Sequence, residues 1–206
     1  MADFRVRSRI LDDIPVIPAL MRRVYPPPLH GPEAIWGEQN LLRHLAQFGA
    51  GQFVAEADDG TVIGTATSMR LDLEHALAPH TWAEITGRGS LSTHVPGGTA
   101  MYGVNIAVDP AWQNRGVGKA MYAARLDLAR KLGCKAFVAG ARIPGYGKVA
   151  DRLTPEDYIT EVAAGRRMDP TLTKQMAVGF EVKGLLRNYA PDPETLGHAA
   201  LIVLWL

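Results

Sequence analysis

The run Val108-Asp-Pro-Ala-Trp-Gln-Asn-Arg-Gly-Val-Gly-Lys-Ala holds the residues whose types and spacing suit chemistry best. An apolar stretch ends at Val108, and Gln113, Asn114, Arg115, Gly116, Val117, Gly118 and Lys119 then open a segment of helical period. The first amides of a helix lack internal acceptors and carry the positive end of its dipole, so they bind phosphate oxygens. Gly116 and Gly118 lack Cβ atoms and let such oxygens reach the backbone. Arg115 and Lys119 add positive charge, and Gln113–Leu132 carries five basic residues against the single acid Asp127. The bland alternative is a helix start whose glycines bind nothing.

Two common phosphate fingerprints fail here. A Walker loop needs Gly where Gln113 stands and a hydroxyl where Ala120 stands. A dinucleotide fingerprint needs a small residue where Met121 stands. The histidines (His30, His44, His75, His80, His94, His198) show no metal-ligand spacing, so no metal site is indicated. Cys134 is the single cysteine; it excludes an internal disulfide and reads as a buried structural thiol. Trp36, Trp82, Trp112 and Trp205 are scattered and read as packing anchors.

These residues need a frame. Phe4–Ile10 alternates as a half-buried strand, and Asp12-Asp13 precedes a helical period over Ile14–Tyr25 that Pro26 stops. A second helix is expected over Glu33–Phe48. Gln52–Ala57 and Thr61–Leu71 flank Asp58-Asp59-Gly60, a hairpin signal. Asp72–Gly98 reads as a long, partly helical connection, the kind of segment that is often functional. Thr99–Val108 is a strand, Gly116–Leu132 a helix and Lys135–Ala141 a strand. Thr154-Pro155-Glu156-Asp157 starts a helix ending near Gly165, Asp169-Pro170 starts another ending at Gly179, and Phe180–Asn188 and His198–Leu206 read as closing strands.

Gln113-Asn114-Arg115-Gly116-Val117-Gly118 resembles the Gln/Arg-x-x-Gly-x-Gly/Ala signature of the GNAT acyltransferase superfamily, and the element order over the whole chain resembles its topology. Val178-Gly179-Phe180 is similar to the Leu-Gly-Phe leading into that family's sixth strand. Arg142-Ile-Pro-Gly-Tyr and Met168-Asp-Pro-Thr-Leu resemble the GNAT module that precedes a carbon–nitrogen hydrolase domain in some proteins. The resemblance implies one α/β domain over residues 1–206 with long insertions at about 72–98 and 144–169. Its sheet would be mixed and mostly antiparallel, of about seven strands flanked by helices, and splayed between the fourth and fifth strands.

The resemblance also implies transfer of acetyl from acetyl-CoA to a primary amine of a small molecule or peptide, by direct attack and without a metal. The pyrophosphate would lie on Gln113–Lys119, and pantetheine would run along Asn105–Val108, with Ile106, Ala107 and Val108 as main-chain contacts. The family's usual tyrosine acid is replaced by Gln175, and the stretch Thr99–Asn105 offers no carboxylate base, only Tyr102 and Asn105. Tyr146 is the expected acid, with Tyr158 and Tyr189 as substitutes; Glu84 and His94 are the alternatives in the preceding connection. The insertions are expected to wall the acceptor pocket, with Glu74, Glu84, Glu156, Asp157 and Glu161 or Arg88, Arg142, Arg152, Arg166 and Arg167 receiving the acceptor. A second reading is a CoA-binding sensor that transfers nothing. The family also leaves room for a homodimer.

Composition bounds the rest. In 206 residues, Lys and Arg number 22 against 21 Asp and Glu, and this near-neutral balance argues against a nucleic-acid partner. With 47% hydrophobic residues the chain can bury a core without disulfide or metal staples. No apolar run reaches the ~20 residues of a membrane span, and the N-terminus lacks a signal-peptide core, so a cytoplasmic location is expected.

Overall fold

Apolar residues alternating with charged ones at the N-terminus form β1 (Phe4–Ser8), which pairs with β2 (Gln52–Ala57). The computed structural model describes residues 3–26 and 35–206. The expected hairpin closes through Gly60 at φ +86° and leads into β3 (Val62–Leu71), buried along almost its whole length. β4 (Ala100–Val108), β5 (Ala136–Arg142), β6 (Glu181–Leu186) and β7 (Ala199–Trp205) complete one sheet in the order β1-β2-β3-β4-β5-β7-β6. Among the described residues, only the β4–β5 pair is parallel.

That parallel pair is short. Ala100–Gly103 pairs with Ala136–Ala139, yet β4 continues to Val108 and β5 to Arg142. The register against β3 shifts where Thr67 faces Asn105 and Ser68 faces Gly103, leaving Val104 as an extra residue. A bulge of this kind bends its strand and ends pairing, so β4 and β5 diverge into a wedge.

Alternation along the strands sorts the core onto the two faces of the sheet. Tyr102, Val138 and Val203 pack with Ile17, Leu20 and Leu41, which come from α1 (Ile17–Val24) and α2 (Glu38–Phe48). On the other face Phe137, Ala139 and Ile202 meet Leu126 of α5 (Val117–Lys131) and Tyr158 of α6 (Pro155–Ala163). The connection between β3 and β4 holds two short helices, α3 (Leu73–Leu77) and α4 (Trp82–Thr86).

Three helix starts differ from the sequence reading. Asp13 is buried and accepts from the Ile10 amide and from Arg7, so α1 begins only at Ile17, with Pro18 in its first turn where no amide is needed. The second helix begins at Glu38; Glu33 lies outside the described residues. Asp169 Oδ1 accepts from the Thr171 and Leu172 amides while Oδ2 takes the Tyr158 hydroxyl, so α7 (Leu172–Met176) is shorter than expected. Trp205 is 48% exposed under Lys183 and anchors no core.

Candidate active site

The turn before α5 is built for its backbone. Asn114 and Gly116 hold φ +61° and +86°, conformations that let successive amides turn outward ahead of the helix. Val117 is fully buried and pins the turn to the core, while Cβ atoms added at Gly116 or Gly118 would meet nothing within 4 Å. Gln113 Nε2 donates to the Val108 carbonyl at 3.2 Å, tying the turn to the end of β4. Lys174 Nζ donates to Asn114 Oδ1 at 3.0 Å, and the Arg115 guanidinium lies over the Trp112 ring. The result is an open row of donors, flanked by cations, at the start of a 15-residue helix.

This turn is one end of a cleft of about 880 Å³ that runs through the β4–β5 wedge. Asn105, Ile106 and Val108 line it, as do Gln113, Asn114, Gly116, Gly118 and Lys119; Ala107, Arg115 and Val117 do not. Arg125 forms part of its wall. Its guanidinium is packed between the Tyr122 and Phe137 rings, donates to Ser68 Oγ and the Thr67 carbonyl, and is lowered by burial to about 10. Gly103 makes room for it, since a Cβ there would sit 2.8 Å from Nη2.

The far end of the cleft is made of side chains from several elements. Asn105 Nδ2 donates to the Tyr25 hydroxyl at 3.2 Å, and burial pushes that phenol up. Arg142 donates to Asp192 at 2.6 Å and to Glu194 at 2.9 Å. Trp36 and Trp82 stack with ring centroids 6.5 Å apart and both face the cleft, so two of the scattered tryptophans form a wall after all. Asn105 Oδ1, Gln175 Oε1 and His198 Nδ1 are buried without a protein partner, and all three residues line this cleft. Each such buried polar atom calls for a partner that the protein itself does not supply, a water or a bound molecule.

None of the three expected acid–base residues lines the cleft. Tyr146 is buried against Tyr158 and His198. Glu84 accepts from the Thr81 amide and hydroxyl, a capping box for α4 that holds its carboxyl below the usual range. His94 stacks on Phe48 and its Nδ1 accepts from the Arg70 amide. Of the charged residues expected to receive the acceptor, Arg142, at the end of β5 just before the second insertion, is the one that faces the cleft. Several of the others serve locally: Glu161 pairs with Arg167, Glu156 with Arg187, and Asp157 with the cap Thr154. The insertions do supply Trp82, Pro144 and Lys148 to the wall. Gln175, at the family's tyrosine position, donates to the Tyr122 hydroxyl at 2.8 Å, so a phenol from α5 stands beside the missing one. Of the two substitute tyrosines, Tyr189 lines the cleft and Tyr158 does not. Tyr25 and Tyr122 escaped the sequence reading as site residues because nothing near them in the chain marks the cleft.

An open sheet with one short parallel pair, a wedge, and a glycine turn opening the helix between its strands defines a GNAT-type fold. A family model described as acetyltransferase (GNAT) family matches residues 20–145, more than half of the chain. YkwB of Bacillus subtilis, an uncharacterised N-acetyltransferase, is 30% identical over 96% of this chain and 86% of its own length. YhcX of the same organism, a probable hydrolase, is 35% identical over 82% of this chain but only 33% of its own length, so the chain spans a third of that relative. The GNAT-like decarboxylase GphF, solved in complex with isobutyryl-CoA, superposes with a TM-score of 0.77 at 24% identity over 98% of each chain. The chain belongs to the GNAT acetyltransferase family. Among the described residues, no helix is long and apolar enough to cross a membrane, and no group of three or more metal-ligating side chains gathers.

Proposed function

We propose that the protein transfers an acyl group, most simply acetyl, from acyl-CoA to a primary amine of a small molecule or peptide. The observation that carries this reading is the open glycine turn at the start of α5, joined by one cleft to the unpaired edge of β4. The pyrophosphate would rest on the amides of Gln113–Lys119. Pantetheine would add to the β4 edge along Asn105–Val108, where β5 has already left. The thioester would then reach the wedge near Gly103 and Gly140, with the amine arriving from the side of Tyr25, Asn105 and Arg142.

Direct attack needs no protein nucleophile, which agrees with a buried Cys134 whose thiol burial pushes up. It needs no metal either: transfer should survive exhaustive chelation, and loss restored by one metal would overturn that part. Thiol release from acetyl-CoA across a panel of amines tests the whole reading. Amine-dependent release, with amide product by mass spectrometry, is expected. CoA binding by calorimetry without release for any amine would instead support a sensor. Release of carbon dioxide from malonyl-CoA in the same assay would redirect the reading to the chemistry for which GphF is named.

A further inference from the structure

A file of three buried polar side chains leaves the cleft on the side away from the glycine turn. Tyr189 lines the cleft and lies against β5 at Gly140, the residue just past the last β4–β5 pair. A Cβ at Gly140 would stand 2.6 Å from the Tyr189 hydroxyl, so only glycine admits this phenol to the wedge. The Tyr189 hydroxyl is 3.0 Å from that of Tyr102, and the Tyr102 hydroxyl is 2.7 Å from His80 Nε2. His80 Nδ1 is 2.7 Å from the Ala78 carbonyl. The Trp82 amide donates to the Tyr189 carbonyl at 2.6 Å, fixing the segment that carries the phenol.

The polarity of this file follows from its far end. A carbonyl only accepts, so His80 Nδ1 must carry the hydrogen and Nε2 of the neutral ring must accept. Tyr102 then spends its single proton on His80, and Tyr189 must donate to Tyr102. The Tyr189 oxygen is left as an acceptor: the Gly140 backbone amide takes up one lone pair, and the other is the one a molecule in the cleft can use. An amine attacking a thioester needs such an acceptor, because its proton must depart as the C–N bond forms.

Resting on the amine-transfer reading, we propose that Tyr189 receives the proton of the acceptor amine and passes it through Tyr102 to His80. The amine lone pair forms the C–N bond, and the C–S bond breaks with its electron pair on sulfur. The N–H proton moves to Tyr189 as the Tyr189 proton moves to Tyr102 and the Tyr102 proton to His80 Nε2. The imidazolium keeps its Nδ1–H bond to the Ala78 carbonyl, and the file resets when the Nε2 proton returns through Tyr102 and Tyr189 to the cleft, where the departing CoA thiolate takes it and leaves as the thiol. Tyr189 is the catalytic residue; Tyr102 and His80 act through it.

The surroundings suit these roles. Burial pushes the His80 imidazole down from 6.5, against the Ala78 carbonyl and Glu84, which favour the cation, and with His75, which opposes it. His80 is thus neutral and ready to accept at neutral pH. Burial pushes Tyr189 up to about 12 and Tyr102 well above the ordinary phenol value, which keeps both as phenols able to relay rather than to ionise.

The test uses the full chain, acetyl-CoA and an amine that the wild type acylates. Tyr189→Phe should lower kcat roughly 10²-fold while CoA affinity by calorimetry is unchanged. The wild-type kcat/KM profile should fall on the acid side with an apparent pKa below 6.5, and His80→Gln should abolish that limb as well as most turnover. Full turnover in Tyr189→Phe, or an intact acid limb in a folded His80→Gln protein, overturns the relay alone. Should His80→Gln not fold, ¹⁵N-histidine NMR of the wild type decides. The relay requires the Nδ1–H tautomer and a His80 titration that shifts in Tyr189→Phe; an Nε2–H tautomer or an unmoved titration overturns it. A wild type that binds CoA and acylates no amine overturns the transfer reading and removes the relay's role with it.

Discussion

The two ends of the cleft are built by opposite means. At one end the proposed binding groups are backbone amides of consecutive residues in the turn Gln113–Lys119, with open space over Gly116 and Gly118. At the other they are side chains brought from distant parts of the chain: Tyr25 from the end of α1, Asn105 from β4, Arg142 from β5, and Tyr189 and Asp192 from the segment before β7. A backbone-made site tolerates change in nearly every side chain except those that shape it. A side-chain-made site depends on close packing of neighbours and on protonation states, so it is sensitive to both. This contrast predicts which perturbations separate binding from catalysis.

The largest effect is expected at the backbone end. Gly118→Asp adds a negative charge in open space facing the proposed phosphate position, so the fold should survive while CoA affinity falls well over tenfold, more than ~1.4 kcal/mol. Calorimetry with unchanged binding in a folded variant would remove the turn from the site. Gly140→Ala attacks the other end. The new Cβ collides with the Tyr189 ring, and overpacking of this kind costs about 1–3 kcal/mol in urea denaturation. CoA affinity should stay near wild type; an equal loss of both would mean that the two ends are not separable.

Acid should also discriminate. His44 packs edge-on against the cleft residue Trp36 and bonds to the Gly89 carbonyl, and burial lowers it to about 4. The unfolded chain therefore binds the extra proton below pH 6.5 and the native state does not until about pH 4, so stability falls as pH drops through that window. By pH 5.5 the loss from this residue is on the order of 1 kcal/mol, and His44→Gln should flatten it in urea titrations at several pH values.

Asp192→Asn leaves Arg142 with Glu194 alone. Asp192 is buried but Arg142 is a third exposed, so screening limits the loss to about 1 kcal/mol of stability, read by thermal denaturation. The smallest effect is expected at Glu84. As a capping residue it should change turnover less than twofold on going to Gln; a large drop in turnover would restore it to the acid–base machinery.

Much of the fold was legible because its signals are local. The Asp-Gly hairpin, the glycine after α5 and the Thr-Pro start of α6 each depend on residues within one turn of chain. Asp13 misled for the same reason: it stands where a cap would stand, yet burial gave it an arginine from β1. Asp169 does cap the turn into α7 with one oxygen, while its other oxygen takes a phenol from α6 that no local pattern shows. Tyr146 was chosen for its place just after β5, but the chain turns there and the ring packs into the core.

The sequence by itself determined the strand–turn–helix that turns its amides outward, because glycine dihedrals and a helix start are set by neighbours in the chain. It also carried the order of elements and the family. Only the tertiary structure decided where β4 and β5 part, since that rests on a bulge in β4 against β3 and on the room that Gly103 leaves for Arg125. The same holds for the Tyr189–Tyr102–His80 file. Tyr102 and Tyr189 are 87 positions apart in the chain, and no local pattern can bring their hydroxyls within hydrogen-bond reach before the sheet has formed.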